Sequence, residues 1–236
     1  MTERVIKQRT RVTQTKSGVT LSADVIIDAA LRLVGEHGGE ALSVRRLGKA
    51  IGADPTAFYR YFATMDELLL ELGDRLIGLG LDGFTRGPDW KQNLRALGLR
   101  THAVYLQYPR VAMLVASRIT GRPHEARIIE LILAELRGAG FDDVTAVRLY
   151  RTFGELTLAF SAVDAAFLAL PDTARAADQA RWTQAYGHID AATHPNIAEL
   201  APVIAAHSDM AAYESALDLL LDSFDRQLGQ RPDGSR

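Results

Sequence analysis

The sequence predicts an all-α protein, and three observations support that fold class. Apolar residues recur at spacings of three and four along most of the chain, which is the period of a helix and not of a strand. Serine, threonine or aspartate precedes several of these apolar runs, where a helix N-cap belongs. Glycine and proline then divide the chain into segments of helical length. We therefore expect helices throughout.

Three short helices are predicted in the first sixty or so residues. Ser22 can cap the first, and Ser43 can cap the second, which ends at Gly52. Asp54 precedes Pro55, and proline suits the first position of a third helix because its missing N–H would be unpaired there anyway. A short helix, a three-residue turn and another short helix have the proportions of a helix-turn-helix motif.

The third predicted helix contains the aromatic stretch GADPTAFYRYF. At 100° per residue, Phe58 and Phe62 point in nearly one direction, with Tyr61 on their flank, whereas Tyr59 and Arg60 point away. We therefore expect the phenylalanines to be buried and Tyr59 and Arg60 to be presented. Arginine can neutralise phosphate or donate two hydrogen bonds to guanine, and tyrosine can donate one to a phosphate oxygen.

A longer helix follows at Thr64, whose spacing from Glu67 matches a capping box. Farther on, Val144–Leu170 and Asp209–Leu228 each carry a continuous apolar stripe at helical spacing. Each stripe either belongs to the core of one chain or forms, with the other, a helical dimer interface. The interface residues predicted on the second interpretation are Phe160, Val163, Phe167, Leu217, Leu221 and Phe224.

Composition narrows the class of protein. The chain has 236 residues, of which 47% are hydrophobic and 24% charged, as in ordinary globular proteins. It contains neither an apolar run long enough for a membrane helix nor an apolar signal segment. It also contains no cysteine, so disulfides and thiolate chemistry are excluded. Residues 1–62 hold ten Lys or Arg and six Asp or Glu, although the whole chain has a net charge of −2. Positive charge at this end suits a polyanionic partner.

A family resemblance covers about fifty residues without a gap. The stretch LSADVIIDAALRLVGEHGGEALSVRRLGKAIGADPTAFYRYFATMDELLLEL resembles the DNA-binding domain of the TetR (tetracycline repressor) family of bacterial transcriptional regulators. The resemblance implies a DNA-binding domain at 20–65 after a basic tail at 1–19, and a helical ligand-binding and dimerisation domain at 66–229 before a flexible tail at 230–236. It implies a homodimeric, cytoplasmic repressor, not an enzyme, which binds a palindromic double-stranded DNA operator and is released by a small molecule.

The resemblance also assigns roles to individual residues. Those implied to face DNA are Arg45, Pro55, Thr56, Ala57, Tyr59, Arg60 and Tyr61. Two departures from the family pattern stand out: Met65 replaces a lysine that often follows the recognition helix, and serine or alanine (Ser215, Ala216, Ser223) replaces glycines in the last helix. Close packing of that last helix is therefore expected to differ in detail.

The C-terminal segments GFDDVTAVRLYRTFGEL and HPNIAELAPVIAAHSDMAAYESALDLLLDSF resemble the ligand-binding domain of the tetracycline repressors' own subgroup. The candidate residues for the pocket wall are His102, Tyr105, Met113, Phe153, Thr157 and Trp182. Core packing, or a hydrogen bond within the chain, is the alternative and favoured interpretation of each. Tetracycline itself is not expected, because YPRVAMLVASRITGRP lacks a counterpart of the histidine that helps to hold its magnesium. No cofactor or metal site is expected, since the six histidines form no i, i+4 pair.

Two rival functions are weighed against a DNA-binding regulator. An all-helical enzyme would use Glu155 and Asp164 as paired acids, but these residues are nine positions apart and point in different directions on a helix. A protein-binding helical module, in which the helix-turn-helix no longer reads DNA, is slightly favoured by Met65. Binding to a palindromic duplex that weakens steeply with salt would separate a regulator from both rivals.

Overall fold

A computed structural model of the chain describes the backbone of residues 20–187, 189–206 and 212–229, without the side chains of residues 182, 183, 186, 187 and 205. Every regular element in these ranges is a helix, so the predicted fold class is confirmed. The predicted basic tail (1–19) and flexible tail (230–236) lie outside the described residues. The chain divides into two compact units, the first ending at Leu72 and the second beginning at Gly73.

The first unit contains the predicted short helices. Its elements are α1 (Ala23–His37), a 3₁₀ turn (Gly39–Ala41), α2 (Val44–Ile51), a 3₁₀ helix (Pro55–Arg60) and the start of α3 (Met65–Leu81). The predicted caps form as expected: the Ser22 hydroxyl accepts a hydrogen bond from the Val25 N–H at 3.2 Å, and the Ser43 hydroxyl accepts one from the Arg46 N–H at 3.3 Å.

The helix that follows Asp54, which we call the 3₁₀ segment (Pro55–Arg60), is wound more tightly than the 100° per residue assumed from the sequence. Its backbone bonds span three residues, as in the Ala57 N–H to the Asp54 carbonyl and the Tyr61 N–H to the Phe58 carbonyl, both at 2.9 Å. The segment has only six residues, starts with a proline that lacks an N–H and is capped by Asp54. Few hydrogen bonds between residues four apart can form in it, and the 3₁₀ pattern results.

The cap that begins α3 is a variant of the predicted capping box, in which the carboxylate reaches the residue before the N-cap. The Thr64 hydroxyl accepts a hydrogen bond from the Glu67 N–H at 3.1 Å, and the Glu67 carboxylate accepts one from the Ala63 N–H at 2.6 Å. The helix then continues without a break past Leu72, where the first unit ends. The predicted domain division at 65/66 therefore falls seven residues earlier than the division in the structure, because a continuous helix offers no sequence signal inside it.

The second unit holds seven further helices in its described part. They are α4 (Trp90–Gln107), α5 (Pro109–Val115), α6 (Pro123–Gly138), α7 (Asp143–Leu168), α8 (Asp172–Gly187), α9 (Pro195–Ala206) and α10 (Ala212–Gly229). In the ranges described, no single helix has both the length and the apolar composition needed to cross a membrane. The pair Asp143–Leu168 and Asp172–Arg181 meets those requirements together, but it is bent by 109° at the break.

The longest helix, α7, lies at the centre of the second unit. It packs against α4, α5, α6 and α10, whereas α8 and α9 pack against each other. Leu94, Leu136, Phe153, Tyr213 and Leu217 are among the buried side chains that these helices contribute to one core. On the surface, α10 is also tied to α4 by ion pairs, since Lys91 pairs with Asp222 and Arg95 pairs with Asp218 and Glu214.

The core position of α10 corrects part of the predicted dimer interface. Leu217, Leu221 and Phe224 are buried in the core of their own chain, so they are not available to a partner in this arrangement. Phe160 is half-buried, with its ring centroid 5.6 Å from that of Tyr213, and Phe167 is also half-buried. Val163 differs, since 68% of its surface is exposed. The stripe on α10 is therefore intramolecular core, which was the alternative interpretation.

Candidate nucleic-acid interface and ligand cavity

The 3₁₀ segment has a buried side and an exposed side. Phe58 and the adjoining Phe62 are buried, and their ring centroids lie 5.4 Å apart. Tyr59 keeps 60% of its surface exposed and meets the Phe58 ring edge to face. Arg60 is exposed as well. The two phenylalanines thus anchor the segment, while a phenol and a guanidinium face outward, as the sequence predicts.

Asp54 organises the beginning of the segment. Its Oδ1 accepts hydrogen bonds from the Thr56 hydroxyl at 2.6 Å and from the Thr56 backbone N–H at 2.8 Å. These bonds from the side chain and then the backbone of Thr56 lower the pKa of Asp54 below its ordinary value. Because a hydroxyl has only one proton, Thr56 offers lone pairs outward and does not donate to a phosphate in this conformation.

The turn between α2 and the 3₁₀ segment depends on two glycines. A Cβ at Gly48 would lie 3.0 Å from the Ala53 carbonyl oxygen and 3.1 Å from the backbone of Pro55. Gly52 ends α2 in the left-handed region, with φ of 65°. Glycine adopts that region without steric cost, and the missing side chain at position 48 lets the segment approach α2.

Two residues implied to face DNA are placed otherwise. Ala57 is buried, because the tight turn brings the start of the 3₁₀ segment against α2, and its side chain is not presented. Tyr61 remains partly exposed, but its hydroxyl donates a hydrogen bond to the Leu21 carbonyl oxygen at 2.5 Å. That phenol therefore ties the segment to the residues before α1.

The outer side of α2 is basic. Arg45, one of the residues implied to face DNA, is exposed, and so are Arg46 and Lys49. A cleft of 560 Å³ lies beside them, lined by Leu33, His37, Arg46, Lys49 and Ala50. Sequence reasoning did not single out Lys49, although its spacing of three and four from the two arginines places all three on one helix face.

Most of the predicted pocket residues belong to the core of the second unit. Tyr105, Phe153 and Thr157 are buried, and the burial of Tyr105 raises its pKa to about 12. His102 Nε2 lies 2.8 Å from an Asp164 carboxylate oxygen, and its ring stacks on Tyr213 with centroids 4.4 Å apart.

The buried Thr157 is part of the same polar group. The Tyr213 hydroxyl donates a hydrogen bond to the Thr157 hydroxyl at 3.0 Å, and burial of Tyr213 raises the pKa of its phenol to about 12. These contacts join α4, α7 and α10. The side chain of Trp182, the remaining predicted residue besides Met113, lies outside the described residues.

A separate cavity of 590 Å³ opens where the end of α5 and the following loop face α6 and α7. Met113 is the one predicted pocket residue on its wall. The lining residues are Met113, Ala116, Ser117, Arg118, Ile119, Glu125, Tyr150, Arg151, Gly154, Glu155, Leu158, Ala159 and Ala162. This volume is within the range of small-molecule sites in proteins.

One wall of the cavity is held by a buried carboxylate on α3. Asp74 accepts hydrogen bonds from His124 Nδ1 at 2.7 Å, from the Glu125 backbone N–H at 2.9 Å and from the His124 backbone N–H at 3.3 Å. The Glu125 carboxylate, which lines the cavity, accepts the Gly121 N–H at 2.6 Å and the Thr120 N–H at 3.2 Å. Asp74 therefore fixes the start of α6, and Glu125 fixes the loop before it.

The acids of the enzyme alternative have separate partners. Glu155 pairs with Arg151 at 2.7 Å, and Asp164 bonds to His102 on a different side of α7. In the part of the chain that the structure describes, no group of three or more His, Cys, Asp or Glu side chains is arranged to hold a metal ion. His188 and His207 lie outside that part.

Comparison with known families agrees with this architecture. Residues 26–72 match the model of the bacterial regulatory proteins of the tetR family. Residues 85–228, more than half of the chain, match the tetracyclin repressor-like C-terminal domain. This chain belongs to the TetR family. The resemblance inferred from the sequence is thereby confirmed.

Individual TetR relatives are similar over part of their length. An HTH-type transcriptional regulator of Saccharopolyspora erythraea is 29% identical over 128 residues, which is 54% of each chain. The HTH-type transcriptional repressor DrrR1 of Streptomyces coeruleorubidus is 29% identical over 125 residues, covering 52% of this chain and 46% of that protein. The chain thus spans about half the length of the curated relatives it matches.

A solved structure extends the similarity to both units. The crystal structure of a possible TetR family transcriptional regulator from Streptomyces coelicolor A3(2) has a TM-score of 0.72 and 27% identity. The match covers 87% of this chain and all of that one. The family and the relatives of this TetR chain are regulators and not enzymes, so the enzyme alternative is set aside.

Proposed function

We propose that this TetR family chain is a repressor that binds a palindromic DNA operator as a homodimer and is released by a small molecule. The observation that carries the proposal is the two-sided 3₁₀ segment. Its buried phenylalanines hold it against the first unit, and Tyr59 and Arg60 are exposed next to each other on its outer side. A short rigid segment with those groups outward suits the DNA major groove.

Each exposed group has a role that its chemistry supports. The Tyr59 phenol donates one hydrogen bond to a phosphate oxygen, which positions the protein without reading sequence. Arg60 on the segment and Arg45 on α2 supply guanidinium groups for guanine or for phosphate. In this scheme Thr56 accepts and does not donate, since its proton goes to Asp54. Ala57 takes no part through its side chain, because that side chain is buried.

The homodimer is proposed to form through exposed positions of α7 and α10. Val163 on α7 and Leu219 on α10 leave 68% and 65% of their surfaces exposed, while the buried stripes of both helices face their own core. Burying apolar side chains of this size against a second chain would stabilise the dimer, although single exposed apolar side chains are common on protein surfaces. A twofold pair would place two 3₁₀ segments for half-sites about 34 to 36 Å apart.

The cavity of the second unit is the proposed effector site. A molecule bound there releases DNA if it binds more tightly to a form of the dimer whose two segments do not match the half-site spacing. The effector therefore needs no contact with DNA or with the 3₁₀ segment. The effector can shift the equilibrium between the two forms of the dimer only by the ratio of its affinities for them.

The proposal is tested by selecting random duplexes with the purified protein and titrating the enriched duplex by fluorescence anisotropy. Tyr59→Phe should weaken binding to all duplexes alike, by about tenfold for a lost hydrogen bond to phosphate. Arg60→Ala should reduce the discrimination between the enriched duplex and a scrambled one. Tyr61→Phe is the matched control, because its hydroxyl already bonds to Leu21 and should affect affinity less.

The salt dependence of the same titration distinguishes a repressor from the remaining alternative, a protein-binding helical module. A DNA-binding repressor should lose affinity log-linearly as salt concentration rises, because phosphate contacts release counterions. An asymmetric enriched sequence would contradict the palindromic operator. No enrichment at all, or binding that does not change with salt, would contradict the repressor and favour a protein-binding helical module.

A further inference from the structure

The cavity beside α7 is elongated. Its lining on that helix runs from Tyr150 to Ala162, which is about 18 Å along the axis at the rise of an α-helix. Over this length the lining changes from polar to apolar, from Tyr150 and Arg151 at one end to Leu158 and Ala162 at the other. A molecule that fills it is therefore long, with a polar end and an apolar end.

One strip of the wall formed by α7 is apolar and carries no long polar side chain. Gly154, Leu158 and Ala162 follow at steps of four on one face of the helix. A Cβ at Gly154 would meet no atom within 4 Å, so the helix opens directly onto the cavity there. Across from it, Met113 and Ile119 are large apolar side chains with 53% and 84% of their surfaces exposed. An apolar strip with a glycine at its centre, facing two large apolar side chains, suits a planar molecule held between them.

The charges on the lining are balanced. Two arginines, Arg118 and Arg151, stand against two acids, Glu125 and Glu155. Arg151 and Glu155 pair with each other at 2.7 Å, and Glu125 already accepts hydrogen bonds from the loop N–H groups. An ion entering this site would lose hydration without gaining a net opposite charge. The lining therefore favours an uncharged molecule that exchanges hydrogen bonds with the polar end.

We propose that this cavity binds an elongated, planar and uncharged molecule, largely apolar, with a hydroxyl or carbonyl group at one end. The proposal rests on the proposed function in one respect, namely that the occupant is the effector of the regulator. Its polar group lies near Tyr150 and Arg151, and its rings lie over Gly154 and Leu158.

The first experiment uses Nile red, a planar uncharged dye with a carbonyl at one end, which fluoresces strongly in apolar surroundings. The full-length protein should bind it saturably. Gly154→Phe places a ring in the open space beside the helix and should weaken binding at least tenfold, and Gly154→Ala should weaken it less. Thr152→Phe is the matched control, because it adds the same ring to α7 at an exposed position outside the cavity.

A parallel titration tests the charge and the shape of the ligand. Proflavine is planar and cationic, anilinonaphthalene sulfonate is anionic, and dodecanol is uncharged but not planar. Each should bind or compete at least tenfold more weakly than Nile red. Equal or tighter binding of a charged probe, or equal competition by dodecanol, would overturn the assignment, as would Nile red binding that Gly154→Phe leaves unchanged.

Two further measurements distinguish the possible failures. If Gly154→Phe fails to fold by circular dichroism, Ala159→Phe fills the apolar end of the same cavity and is read in the same way. If Gly154→Phe changes the sedimentation mass while Nile red does not bind to the wild type, the cavity is covered by a second copy and the ligand proposal is wrong. If Nile red binds but no DNA duplex does, the repressor proposal is wrong and the proposed ligand class of the cavity is still supported.

Discussion

The 3₁₀ segment and the cavity beside α7 are built in opposite ways. In the segment, the large apolar side chains are buried and the polar ones project from a rigid base. In the cavity, Met113 and Ile119 are exposed, and the opposite wall is mostly glycine, alanine and leucine. The first arrangement holds groups in place for a partner of known geometry. The second leaves apolar surface for a partner to cover, so its wall can adjust to what enters.

The largest expected change in stability tests whether the buried phenylalanines anchor the 3₁₀ segment. Phe58→Ala removes a buried ring that packs against Phe62, and it should lower the free energy of unfolding by about 3 to 5 kcal/mol. Tyr59→Ala, one residue away but exposed, should change it by less than about 1 kcal/mol. Denaturant unfolding of the two variants measures both values. Equal losses would mean that the two sides of the segment do not differ as described.

The next effect tests how the cavity wall is held. Asp74→Ala leaves the His124 and Glu125 N–H groups without their buried acceptor and should cost about 2 to 3 kcal/mol. Glu155→Ala, which breaks an exposed pair on the same cavity, should leave stability almost unchanged. Thermal unfolding compares them. A loss for Glu155→Ala as large as that for Asp74→Ala would contradict the distinction between buried support and adjustable lining.

Replacing one glycine by alanine in each unit should change the free energy of unfolding in opposite directions. Gly48→Ala forces a Cβ to within 3.0 Å of the Ala53 carbonyl oxygen and should destabilise by about 1 to 3 kcal/mol. Gly154→Ala meets nothing within 4 Å and should stabilise by about 0.5 to 1 kcal/mol, because alanine is the better helix former. Unfolding curves recorded under identical conditions decide the signs, and the same sign at both positions would refute the comparison.

The smallest effect concerns the pH dependence of the 3₁₀ segment. The pKa of Asp54 is lowered in the folded state by its bonds from Thr56, so the carboxylate contributes stability above its ordinary pKa of 3.8. That contribution should be lost as the pH falls below about 3.8 and through the folded pKa. Asp54→Asn should show a shallower loss of stability in this acidic range. An NMR titration of Asp54 that gives a pKa at or above the ordinary value would contradict the prediction.

Features that depend on neighbouring residues could be predicted from the sequence. The caps at Ser22 and Ser43, the capping box at Thr64 and the outward position of Tyr59 all depend on residues within four positions of each other. The tighter winding of the 3₁₀ segment could not be separated from an α-helix, since both turn residues three or four apart to one side.

Features that depend on distant segments could not be predicted. The stripe on α10 shows that one face is apolar, but periodicity does not say whether α4 and α7 of the same chain or a second chain covers it. The cavity draws its lining from residues between Met113 and Ala162 on three helices and a loop, so no local pattern marks it. Core residues such as Phe153 and Thr157 carry the same apolar and polar signals as residues of a wall.

The absence of a side chain at Gly154 has a practical consequence for protein engineering. A cysteine at this position, in the middle of the longest helix, has space for its Cβ without displacing neighbouring atoms. A fluorophore attached to that cysteine would occupy the cavity where the proposed ligand lies, so a competing molecule would displace it and change its emission. The same codon is then the natural place to begin when the regulator is adapted as a biosensor for a chosen compound.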